Sequence, residues 1–167
     1  RATFAHVDLT DSRSISLFTK LVEAVVARYA PAAGTLAARS YAAEREAAGV
    51  AGRFTPTPAP VPTADDVQAA VEWAVRRQID PTEPDVAAFE KDITVSAQKL
   101  VQDVARDTVI DNVKRDRQTS AWYRQVHPER SKSGKTCAFC AMLASRGAVY
   151  TEETADFEAH PGCHCTA

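Results

Sequence analysis

The sequence predicts a mainly α fold: N-terminal helices and a long helix, followed by a small cysteine-rich α+β module with short strands. Three observations point there. Ala is abundant while aromatic residues make up only 7% of the chain. Apolar residues recur at three-and-four spacing through successive segments, the period of one helix face. All four cysteines fall in the last 31 residues, after that periodicity has ended.

Composition sets the outer bounds. The chain has 167 residues, of which 45% are hydrophobic and 25% charged, the balance of a globular protein. Twenty basic residues nearly cancel 22 acidic ones, leaving a formal charge of −2. That excludes a uniformly polycationic coat for DNA, though not a local basic patch. No apolar run is long enough to span a bilayer and no signal-peptide pattern opens the chain, so no membrane partner is expected. A first residue Arg1 and an end at Cys165-Thr166-Ala167 read as a piece of a longer product.

Residues 1–51 are expected to be an N-terminal helical region. A helix should begin at the Asp11-Ser12 cap and run to about Tyr29, with Ile15, Phe18, Leu21, Val22, Val25 and Tyr29 on one face. Pro31 should end it, because proline disfavours helix in the residue before it. A second helix from Ala32 to Ala48 would then carry Leu36 and Tyr41 and stop at Gly49.

Residues 52–63 form a proline-rich linker, with Pro56, Pro58, Pro60 and Pro62 alternating. Such a run neither donates to a ladder nor continues a helix, so it should be an extended strap. Its simplest role is a spacer; the sharper alternative is a docking peptide for an aromatic groove.

Residues 64–126 are a second helical region. Asp65 and Asp66 suit a helix N-terminus, and Val67, Val71, Ala74 and Ile79 give a short amphipathic helix ending before Asp80-Pro81. After Pro84, Val86, Phe89, Ile93, Ala97, Leu100 and Val104 form a coiled-coil-like stripe. Continued to Arg117, this helix would span roughly 45 Å. A stripe of that length calls for a partner helix or a sister subunit. Short strands are expected at Trp122–Val126 and, after an Arg146-Gly147 turn, at Ala148–Tyr150.

Residues 127–167 hold the chemistry. Cys137-Ala138-Phe139-Cys140 is followed, 22 residues later, by Cys163 within His160-Pro161-Gly162-Cys163-His164-Cys165. A Cys-x-x-Cys pair presents two thiolates to one cation, and a second cluster across a loop closes a tetrahedron. A structural zinc ion is therefore expected, held by four of Cys137, Cys140, His160, Cys163 and Cys165. His164 ranks last, since it alternates with two ligands in an extended run. A closed four-ligand site leaves no position for water, which argues against hydrolytic catalysis. Disulfides need an oxidising compartment that nothing here indicates, and a thioredoxin-like motif needs a mixed sheet.

Other chemistry is poorly supported. Ser133-Gly134-Lys135-Thr136 is similar to the end of a phosphate loop, but Glu129 stands where its first glycine belongs. His6 and His127 are single histidines, expected to be surface or core residues rather than catalytic bases. Lys114, Arg115, Arg117, Arg124, Arg130, Lys132 and Lys135 outnumber three acidic residues between Asp111 and Lys135. Interleaved with Trp122 and Tyr123, they offer a contact for packaged DNA, against the plainer alternative of a solvated basic face.

The run from Thr136 to Tyr150, with its Cys137-x-x-Cys140 and Gly147, and the closing His160-Pro161-Gly162-Cys163-His164-Cys165, resembles the Mu F-like minor head proteins of tailed bacteriophages. The similarity is greatest to the minor capsid proteins of phages that infect actinobacteria, and it covers about 30 residues. It implies a non-enzymatic virion component inside the capsid near the portal, assembled in the host cytoplasm. The partners it implies are the portal protein, the major capsid protein or sister copies. A nucleic-acid-binding zinc module is the alternative function, and a thiol oxidoreductase a more distant one.

Overall fold

Three helices share one apolar core, and a fourth, short helix carries the cysteine pair. The computed structural model describes residues 8–78, 85–119, 121–131, 133–151, 154 and 163–165. Helix α1 spans Ser12–Ala47, α2 Ala64–Gln78, α3 Val86–Arg115 and α4 Ala138–Ser145, with a 3-10 turn at Pro128–Arg130.

Helix α1 starts where the cap chemistry places it: the Asp11 carboxylate accepts the N–H groups of Arg13 and Ser14. It does not end at Pro31, which lies inside it. The two expected helices are one. Phe18, Val22, Val26, Ala30, Gly34 and Ala38 are all buried, and each lies four residues beyond the last. Breaking the helix at Pro31 would split this stripe, so continuous burial outweighs the hydrogen bond that proline removes. Thr35 also caps the proline carbonyl through its hydroxyl at 2.8 Å. Gly49, at φ +64°, provides the stop.

The stripe read from the sequence was too wide. Phe18 and Val22 face the core, whereas Leu21, Val25 and Tyr29 are about half exposed along one flank of α1. With Ala97 and Val101 of α3 they line an open groove of about 570 Å³, which His164 also borders.

Helix α3 packs along α1 and α2. Phe89 and Ile93 are buried, and the Phe89 ring lies 5.3 Å from that of Phe18. Val104 joins the same core, with Ala97, Leu100 and Val101 packed against it. The long stripe therefore finds its partners within the chain, in α1 and α2. Ile79 lies outside the described residues, and Val67, Val71, Ala74 and Val75 supply α2's buried face.

The proline-rich strap is extended and contains no helix or strand, but it is no free spacer. Asn112 of α3, fully buried, accepts the Thr57 N–H at 2.9 Å and donates its amide to the Thr57 carbonyl at 2.7 Å. Two residues on, the Ala59 N–H donates to the Thr108 hydroxyl at 2.9 Å. The strap thus binds α3 through side chains that replace a missing strand. Gly34 permits this closeness: a Cβ there would sit 3.1 Å from both Pro58 Cβ and Val104 Cγ1.

A polar knot ties the strap's entrance to the end of α3. Asp116 accepts from Arg45 at 2.7 Å and from the Tyr41 hydroxyl at 3.0 Å. Arg45 also donates to the carbonyls of Ala51 and Gly52, at 2.9 Å each. Phe54 lies under the guanidiniums of Arg45 and Arg115, both at 5.7 Å. Burial alone would raise the Asp116 pKa, but the Arg45 and Tyr41 donors and the Gln118 N–H hold it below the ordinary carboxylate value.

The two expected strands do not form among the described residues. Trp122 and Tyr150 instead meet in an isolated antiparallel bridge, with N–H to O distances of 3.0 and 3.3 Å. The segments meet where expected, but Leu143, Tyr150 and Trp122 are too small a cluster to extend a sheet.

Candidate metal centre

Helix α4 brings the first cysteine pair into position. Cys137 is its N-cap, and its sulfur accepts the Cys140 N–H at 3.3 Å. Cys140 therefore sits in the first turn, pointing inward and fully buried. The expectations drawn from the sequence include no helix at this pair. Its signals were present: an N-capping side chain, the helix-forming run Ala141-Met142-Leu143-Ala144, and Gly147 at φ +67° just past the end.

The second pair of cysteines comes from the C-terminal stretch, outside any helix. Cys163 and Cys165 are both buried, and the Cys163 sulfur lies 3.5 Å from that of Cys140. The sulfurs of Cys140, Cys163 and Cys165 all lie within 4.8 Å of one another. In a tetrahedral site with bonds of about 2.3 Å, thiolates stand about 3.8 Å apart. The triad matches that spacing. All four cysteines are free thiols in this arrangement. Cys137 is half-buried at the edge of the cluster, against Cys140. His160 lies outside the described residues.

Two arginines that the sequence did not single out as site residues complete the centre. Arg124 is only 1% exposed, and its Nη2 lies 3.6 Å from both Cys140 Sγ and Cys163 Sγ. Unlike a surface residue of the basic stretch, Arg124 points into the protein. Arg115 is also engaged internally, donating to the Thr57 hydroxyl at 2.7 Å and to Asn112. Arg106, on α3 and nearly buried, donates to the carbonyls of Cys163 and Cys165. That contact fastens the thiol cluster to the helical body.

The electrostatics separate the thiols. Burial pushes Cys140 up to about 12; Arg124 opposes this, and the neighbouring thiols of Cys137, Cys163 and Cys165 add to it. Cys163 moves the other way. Burial would raise it, but the Cys165 N–H, the Cys140 thiol and the guanidiniums of Arg124 and Arg106 hold it below the ordinary thiol value. Either sulfur can donate the proton shared across the Cys140–Cys163 contact. A divalent cation would replace that shared proton and favour all the thiolates together.

Fold and site together define a mainly helical protein with a buried thiol cluster suited to a metal ion. The chain belongs to the VG15 protein family, whose match extends over residues 1–167. No curated protein and no solved structure matches it. Among the described residues, no helix is long and apolar enough to cross a membrane.

Proposed function

We propose that this chain is a structural head component of a tailed bacteriophage, a Mu F-like minor head protein acting near the portal during head assembly. One zinc ion holds its C-terminal module. The observation that carries the reading is that the residues bearing the resemblance are the ones the fold gathers. Cys137-x-x-Cys140 and Cys163-x-Cys165 are separated by 22 residues of chain, yet three of their sulfurs are mutual neighbours in a buried site. Cys140, Cys163 and Cys165 supply three ligands, and Cys137 or His160 the fourth. The chain is not an enzyme in this reading, and the metal is structural.

The half-exposed flank of α1, with Leu21, Val25 and Tyr29, is the surface offered to portal protein, major capsid protein or sister copies. The DNA-binding alternative is weakened because Arg115 and Arg124 are occupied within the chain. Averaged reconstruction of the assembled particle, with portal pull-down, tests the proposal. Density for this chain at the portal vertex is expected. Absence from purified particles, together with salt-sensitive DNA binding by the free protein, would overturn it.

A further inference from the structure

We propose that Arg124 is the built-in counter-charge of the thiol cluster and fixes how tightly that cluster holds a metal ion. The inference rests on the zinc reading above. One terminal nitrogen of Arg124 is shared by two sulfurs at 3.6 Å, in a side chain almost wholly removed from solvent. A buried guanidinium is costly unless charge and hydrogen bonding compensate it. Thiolates around a divalent cation carry a surplus of negative charge, which the guanidinium offsets at contact distance. The dependence is mutual: the cluster makes the buried cation tolerable, and the cation makes the crowded thiolates tolerable.

Geometry adds a positioning role. The two sulfurs that Arg124 touches come from opposite sides of the site, Cys140 from α4 and Cys163 from the C-terminal segment. A single N–H group bridging them sets their separation before a cation arrives. Arg106 acts on the same segment from behind, through the Cys163 and Cys165 carbonyls. Arg124 itself lies two residues after Trp122, whose backbone pairing with Tyr150 holds that stretch beside α4.

The test uses the full-length reduced chain and two probes, Zn²⁺ and Co²⁺. Zinc affinity is read by competition with a chelator, and Co²⁺ reports the thiolate set through its absorption bands. Arg124→Met should bind zinc about 10–100-fold more weakly, the usual penalty for losing an outer-shell partner of a metal ligand. Arg124→Lys should recover part of that loss by keeping the charge without the planar fork. In both variants the Co²⁺ charge-transfer bands should keep their intensity, because the ligands are unchanged, and shift in energy as the N–H to sulfur contact is lost. Should Arg124→Met fail to fold, Arg124→Lys and Arg124→Gln decide by the same two readouts. Zinc affinity within twofold of the parent, with unshifted bands, would overturn the role of Arg124 alone. A parent protein that takes up neither ion would overturn the zinc reading as well.

Discussion

The helical body and the thiol module are held together by different physics. The body buries Phe18, Val22, Val26, Ala30, Val67, Val71, Phe89, Ile93 and Val104 in one cluster shared by three helices. Among its described residues the module has two small clusters, one of three cysteines and one of Leu143 with Tyr150, while Phe139, Met142 and Val149 stay largely exposed. Ordering each backbone residue costs about 1–2 kcal/mol, which so little apolar burial cannot offset. The body can therefore fold by excluding water, whereas under the proposed function the module depends on a metal ion held by its sulfurs. Arg106 joins the two, but each has its own source of stability, so loss of one region should leave the other largely intact.

Removing the metal should have the largest effect and be confined to one region. Cys140→Ser, or a strong chelator, should destabilise the module by on the order of 10 kcal/mol, the scale of zinc binding in small metal-folded domains. Hydrogen exchange should show residues 138–150 losing protection while α1, α2 and α3 keep theirs. A module that stays protected under chelator, with less than about half an equivalent of zinc in the parent, would erase the contrast.

The converse change should strike the body and spare the site. Phe89→Ala empties the centre of the three-helix core and should cost about 3–5 kcal/mol. A calorimetric scan should show a lower main transition, with zinc content per folded molecule unchanged. If zinc is lost in step with the core, the two regions form a single cooperative unit.

The smallest effect concerns acid. Asp116 has a depressed pKa in the folded chain, so its contribution is fully present above the ordinary carboxylate range. It is lost as pH falls through that range towards the folded-state value. Asp116→Asn should cost about 1–3 kcal/mol at neutral pH, by weakening the Arg45 and Tyr41 contacts, and should flatten this part of the pH profile. Protons also compete with metal for thiolates. Following helix content and Co²⁺ absorption in one acid titration separates the two processes, and only the helix signal should change its midpoint in Asp116→Asn.

Much of this organisation is legible in the sequence, and what is not has identifiable causes. Helices α2 and α3 follow from apolar periodicity, α2 also from the acidic pair at its N-terminus, with ends within a few residues of those observed. Pro31 misleads because its local preference is weighed without the buried stripe that crosses it. The strap is read as extended, but its binding to Thr108 and Asn112 links positions 49 and 55 residues apart, beyond any local pattern. The three clustered cysteines follow from type and spacing. Arg124 does not, because a count of basic residues says nothing about which way a side chain points.

The strap's attachment also sets an order of events during synthesis. Thr57 and Ala59 emerge from the ribosome about fifty residues before Asn112 and Thr108, the side chains that will receive them. Until α3 has been made and laid against α1, the proline run has nothing to bind. Its lack of helix-forming capacity is then an advantage, since it waits as an extended chain without competing structure. Closure of the strap, together with the Asp116 knot, therefore has to wait for the second half of α3 and its C-terminal end.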